Sequence, residues 1–150
     1  MKKLEQLREM IKEENKKLLL SYGIDITTKY EAETIIHSNP DNIKACYEAD
    51  VDMTTYFGFY TARSSNPDNI KACYDAGIDM TTQYGFLIAK DSNPGNIKAC
   101  YEADVDMTTE EGCYIARHFT IKMIKDLDIT SEMTLEQVCK ELGRDIKIIK

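Results

Sequence analysis

The chain has 150 residues, of which 43% are hydrophobic and 30% charged, with a formal net charge of −7. These values predict one folded domain with its own core and exclude a disordered chain. The acidic balance argues against a general nucleic-acid binder and allows a basic protein partner, and the longest aliphatic run, Leu18-Leu19-Leu20, is far short of the roughly 20 apolar residues of a membrane span.

In chain order, MKKLEQLREMIKEENKK has no apolar stretch behind its lysines, so no secretory signal is expected there. Residues 2–20 predict an amphipathic helix with Leu4, Leu7 and Ile11 on one side, its start (1–10) serving as an N-terminal cap. Then SNPDNIKACYEADVDMTT at 38–55 returns at 65–82 and 92–109 with few changes, a period of 27 residues. LLLSYGIDITT, Leu18 to Thr28, keeps the same phase. Four copies are therefore expected, at 11–37, 38–64, 65–91 and 92–118, within a single repeat domain spanning 1–150.

Each copy predicts two short helices. The first opens at Asn39-Pro40-Asp41, where Asn caps, Pro is pre-set for the first helical position and an acid meets the positive end of the dipole. Ile43, Cys46 and Tyr47 are expected to face inward, and the helix to stop near Ala49. The next position, Gly23, Asp50, Gly77 or Asp104, fits a left-handed residue. The second helix starts at the Thr-Thr pair, with capping-box spacing at Thr28–Glu31 and Thr108–Glu111. It is expected to be the shorter, about Tyr56 to Arg63, with Phe59 and Ala62 inward, then Phe86 and Ala89, then Cys113 and Ala116. A helix of that length is marginal alone and needs its neighbours. After His118 the pattern decays into a C-terminal cap over 119–150: an inner-helix-like segment at 119–125, a helix over 133–143 with a Thr134–Gln137 capping box, and an edge strand in RDIKIIK. The predicted fold class is all-α, an α-solenoid of about four stacked helix-turn-helix repeats with helical caps.

IKACYDAGIDMTTQYG and LLLSYGIDITTKY resemble the second helix and following turn of ankyrin repeats, with Ile70, Cys73, Tyr74, Ala76, Gly77 and Asp79, and Leu19, Leu20, Gly23 and Asp25, at the matching positions. The likeness covers about 12 residues per copy across roughly residues 15–110. The period is 27 against the ankyrin 33, and the Thr-Pro-Leu-His opening is absent. A tight turn at Asp52-Met53-Thr54 is expected in place of the finger-like hairpin. The resemblance implies a helical array and protein–protein recognition without catalysis.

Candidate chemistry is sparse. The five cysteines, Cys46, Cys73, Cys100, Cys113 and Cys139, include a ladder spaced by 27 but no zinc spacing, so they read as reduced thiols in a cytoplasmic protein. Stacked helices about 8–10 Å apart keep ladder thiols beyond the roughly 7 Å of a disulfide. Asp25, Asp52, Asp79 and Asp106 lack the remaining ligands of a calcium loop and are expected to bond turn backbone. His37 and His118 lie three periods apart and cannot share a metal in a monomer. No catalytic set, cofactor or metal site is expected.

The copies differ most in the second helix: YFGFYTAR, QYGFLIAK and EEGCYIAR. Its outward positions are Tyr56, Tyr60 and Arg63, then Gln83, Leu87 and Lys90, then Glu110, Tyr114 and Arg117, with Phe57, Tyr84 and Glu111 at the edge. Stacked, they form an aromatic and charged strip of a kind used at interfaces, or a drifting solvated face. The expected function is non-enzymatic binding of a protein partner through that strip. The alternatives are an acidic decoy for a basic nucleic-acid-binding protein and a self-associating array. Neither nucleic acid nor membrane is expected as a direct partner, and the chain is expected to be a monomer, with a homodimer as the alternative.

Overall fold

The computed structural model describes residues 2–126. The predicted helix at 133–143, the predicted tail strand and Cys139 lie outside them. Among the described residues every element is an α-helix: α1 (Lys2–Ser21), α2 (Lys29–His37), α3 (Pro40–Glu48), α4 (Tyr56–Ser64), α5 (Pro67–Asp75), α6 (Gln83–Asp91), α7 (Pro94–Glu102), α8 (Glu110–His118) and α9 (Ile121–Asp126). None is long and apolar enough to cross a membrane. In the second, third and fourth copies the two helices are equal at nine residues, so the second is not the shorter there; in the first copy α2, at nine residues, is shorter than α1. Odd-numbered helices pack in succession, α1 on α3 on α5 on α7 on α9, and so do α2, α4, α6 and α8. The two rows face each other through α1·α2, α3·α4, α5·α6 and α7·α8.

The local signals act as chemistry predicts. Asn39, Asn66 and Asn93 cap α3, α5 and α7, each accepting from the amide three residues on, with proline just inside. The left-handed positions are Gly23, Asp50, Gly77 and Asp104, at φ of 75°, 55°, 73° and 57°. Around Asp50, the Val51 amide reaches back to Cys46 O at 2.9 Å and the Asp50 amide to Tyr47 O at 3.2 Å, which ends the helix and uses its orphan carbonyls. The fourth copy reads SNPGN, and there the tip of Ile121 on α9 occupies the place of a side chain: a Cβ on Gly95 would stand 2.8 Å from Ile121 Cδ1.

The buried faces differ from expectation in two places. Ile43, Cys46 and their equivalents are fully buried, but Tyr47, Tyr74 and Tyr101 are exposed. The third buried position of α3 is Asn42, with Asn15, Asn69 and Asn96 in phase, all buried. In the second helices Phe59, Ala62, Ala89, Cys113 and Ala116 lie inside as predicted, whereas Phe86 is half-buried and Ile88 and Ile115 take the core. Met53, Met80 and Met107, in the turns, are also core residues.

The tight turn at Asp52-Met53-Thr54 is present. Asp52 Oδ1 accepts from the Thr54 amide at 3.0 Å and from its hydroxyl, and the Thr55 amide donates to Asp52 O. Asp25, Asp79 and Asp106 bind Thr27, Thr81 and Thr108 in the same way. The ladder aspartates are thus turn acceptors. The Thr108 hydroxyl, then its amide, hold the Asp106 carboxyl below its ordinary value. A depressed folded-state value contributes stability above the unfolded one and loses it as pH falls through the folded one. Thr108→Val is therefore expected to move the Asp106 titration upward by carbon-13 NMR and to flatten the acid limb of stability.

Candidate functional site

The outward face of α2, α4, α6 and α8 carries the predicted strip, and its nine residues sit in unequal environments. Tyr56, Arg63, Gln83 and Lys90 are exposed, while Tyr60, Leu87, Glu110, Tyr114 and Arg117 are half-buried. Leu87 and Tyr114 pack against the hydrophobic core. The strip is therefore one accessible patch on α4 and α6, flanked by a more occluded one on α8.

Aromatic rings organise the accessible patch. Tyr56 meets Tyr60 at 4.8 Å and Tyr30 of α2 at 6.2 Å between ring centroids. Tyr60 and Phe57 reach Phe86 on α6 at 5.7 and 5.8 Å. Phe86 was expected inside; it is instead the ring that joins α6 to the α4 aromatics. Hydrogen bonding with Tyr60 raises the Tyr56 phenol above its ordinary value. Arg63 lies over the Tyr60 ring at 5.6 Å and Lys90 over Phe86 at 5.9 Å, so aromatic faces hold both cations within cation–π reach.

On α8 the charges are internal. Arg117 Nη2 meets the Asp91 carboxylate of α6 at 2.8 Å. His118 ends α8 against the Tyr114 ring at 4.5 Å, and burial, then the Arg117 charge, hold its pKa below the ordinary value. His37 ends α2, at the far side of the stack from His118.

The capping boxes predicted at Thr28–Glu31 and Thr108–Glu111 do not form, and the one at Thr134–Gln137 lies outside the described residues. At α4, α6 and α8 the second threonine of the pair caps: Thr55, Thr82 and Thr109 accept from the amides of Gly58, Gly85 and Gly112. Thr108, the first, serves Asp106 instead. Thr28 has no side-chain cap bond, and Glu31 is buried with Oε2 unpartnered.

Cys46, Cys73, Cys100 and Cys113 are free and buried. Burial pushes the thiols of Cys46, Cys73 and Cys100 up to about 12. With so little thiolate at neutral pH, iodoacetamide is expected to leave these three unmodified in the folded protein and to label them in urea, read by peptide mass spectrometry. Among the described residues there is no group of three or more His, Cys, Asp or Glu placed to hold a metal. No protein-family model, curated protein or solved structure matches the chain.

Sequence reasoning missed the buried asparagines and the glycine at the third position of α4, α6 and α8. Both signals were present as residues recurring every 27 positions: Asn15, Asn42, Asn69 and Asn96, and Gly58, Gly85 and Gly112.

Proposed function

We propose that the chain is an ankyrin-like α-solenoid of about four 27-residue helix-turn-helix units that binds a protein partner through the exposed face of α4 and α6, without catalysis, in the cytoplasm. One observation carries the reading: at Tyr56, Arg63, Gln83 and Lys90 the second helices present different exposed side chains from one shared backbone frame. Stacking constrains what faces inward and leaves such positions free to answer to a partner. Tyr and Arg are the side chains most often found as interface anchors, and the aromatic cluster beneath Tyr56 would hold its ring at low entropic cost.

The test is affinity capture with a four-site variant, Tyr56→Ala, Arg63→Ala, Gln83→Ala and Lys90→Ala, which leaves Tyr60 and Tyr114 in place because their rings pack within the fold. The variant is expected to keep the parent's melting temperature and lose the proteins the parent retains. Equal retention by both would place the binding face elsewhere.

A further inference from the structure

The opposite face of the molecule, on the odd-numbered row, carries two grooves that repeat each other. Between α5 and α7 lies a groove of about 670 Å³ lined by Ala72, Ala76, Pro94 and Tyr101 with Asp75 and Glu102; Lys71 and Lys98 also line it, and Lys71 lines its neighbour. Between α3 and α5 lies one of about 330 Å³ lined by Ala45, Ala49, Pro67 and Tyr74 with Glu48 and Asp75. Each of these six residues shifts by 27 into its counterpart. Small side chains make the floor, a tyrosine the wall, and a carboxylate stands on either side. Towards α1, Tyr22 stacks on Tyr47 at 3.7 Å between centroids.

Folding does not account for these side chains. Tyr74 and Tyr101 are 47% and 56% exposed, so helix packing leaves much of each ring in solvent; Tyr47, 48% exposed, stacks on Tyr22. The second helices changed even at a buried position, Phe59 against Cys113, while these exposed tyrosines stayed the same. The acids are also poorly placed for helix stability. Glu48, Asp75 and Glu102 sit at helix C-termini, the negative ends of the dipoles, and α3, α5 and α7 have no basic residue in the last turn. By contrast α4, α6 and α8 each carry at least one there. The nearest lysines precede their acids by four residues (Lys71–Asp75 2.7 Å, Lys98–Glu102 3.9 Å). That is the weaker order for such a pair, and these well-exposed contacts can be exchanged for others.

We infer that these grooves bind an extended, arginine-bearing segment of another protein, one guanidinium per groove. The chemistry selects arginine: a planar guanidinium stacks on a tyrosine ring and takes a carboxylate with two parallel hydrogen bonds, which an ammonium does not. Adjacent helices of a row stand about 8–10 Å apart. An extended polyproline-type chain returns the same face every third residue, about 9.3 Å on. The spacing therefore calls for arginine at every third position. This surface is separate from the α4–α6 patch and stands or falls without it.

Fluorescein-labelled (Arg-Pro-Pro)4, the block isomer Arg4Pro8 and (Lys-Pro-Pro)4 would be titrated by fluorescence anisotropy in 150 mM salt. The spaced arginine peptide is expected to bind at least tenfold tighter than its block isomer and at least threefold tighter than the lysine peptide. Tyr74→Ala with Tyr101→Ala, and separately Asp75→Asn with Glu102→Gln, should each weaken it at least fivefold with melting temperatures retained, while Tyr56→Ala leaves it unchanged. Equal binding of the two arginine isomers would reduce the effect to net charge and overturn the proposal. So would undiminished binding by the tyrosine variant.

Discussion

Asn69→Ala is expected to lower the unfolding free energy by about 3 kcal/mol, far more than a polar-to-alanine change on a helix surface. Asn69 Nδ2 donates to Ala89 O at 3.0 Å and to Ser92 O at 2.9 Å, two carbonyls at the C-terminal end of α6 that the helix itself cannot satisfy. Asn15 serves Ile35 O and Ser38 O, and Asn42 serves Ala62 O and Ser65 O, in the same way. Removing the amide strands Ser92 O; Ala89 O keeps only the Ser65 hydroxyl. A buried acceptor left unpaired costs about 1–3 kcal/mol, and the space vacated adds to it. Asn66→Ala, three residues away, removes only the α5 cap and should cost about 1 kcal/mol. Urea unfolding followed by circular dichroism separates the two. Equal losses would show that the asparagine ladder does not tie one row to the other.

The second large effect concerns the start of the second helices. Gly85→Ala is expected to cost about 2 kcal/mol, because a Cβ there would lie 1.9 Å from Asp79 O. The carbonyl must withdraw, and the Thr82 cap and the Thr82 N–H bond to Asp79 O would be lost with it. A cap is worth about 1 kcal/mol and a hydrogen bond about the same. The first copy shows the outcome already. Glu31 stands where the later copies have glycine, Thr28 makes no cap bond, and the turn-closing bond seen at Thr55, Thr82 and Thr109 has no counterpart there. Glu31→Gly is accordingly expected to stabilise the protein by about 1 kcal/mol. It would restore the cap and remove a buried carboxylate with an unpartnered oxygen, against the intrinsic cost of a helical glycine. A lower melting temperature for Glu31→Gly would refute this account of the turn.

Helix starts and stops were legible because each depends on one or two residues. Asn-Pro caps α3, α5 and α7, and Gly or Asp takes the left-handed position after them. Facing was harder, and Tyr47 shows why. It recurs with Ile43 and Cys46 at helical spacing, so the apolar letters alone draw the buried stripe through it. The buried arc of α3 in fact runs through Asn42, Ile43, Cys46 and Ala49. Asn42 shifts that arc by most of a quarter turn and leaves Tyr47 outside. A buried amide looks like surface until the carbonyls it serves, 20 and 23 residues later, are known. In the candidate strip, spacing placed the side chains on the right helices but could not tell Tyr56 from Tyr60. Their difference in exposure arises from Phe86 on the neighbouring helix, a cross-copy contact that no local pattern encodes.

The near-identity of the odd helices bears on how this chain finds its order during folding. The α3 surface that meets α5 and the α5 surface that meets α7 are built from almost the same residues, so either could dock on the other's partner. Discrimination between them rests on tether length: loop closure favours the neighbour about 27 residues away over the one twice as far, but each doubling of a loop costs only about 0.6 kcal/mol. The tether alone therefore discriminates only weakly between a neighbouring copy and the one beyond it. By the same interchangeability, excising residues 65–91 would join two ends that already match, leaving a shorter chain whose remaining helices still find complementary surfaces.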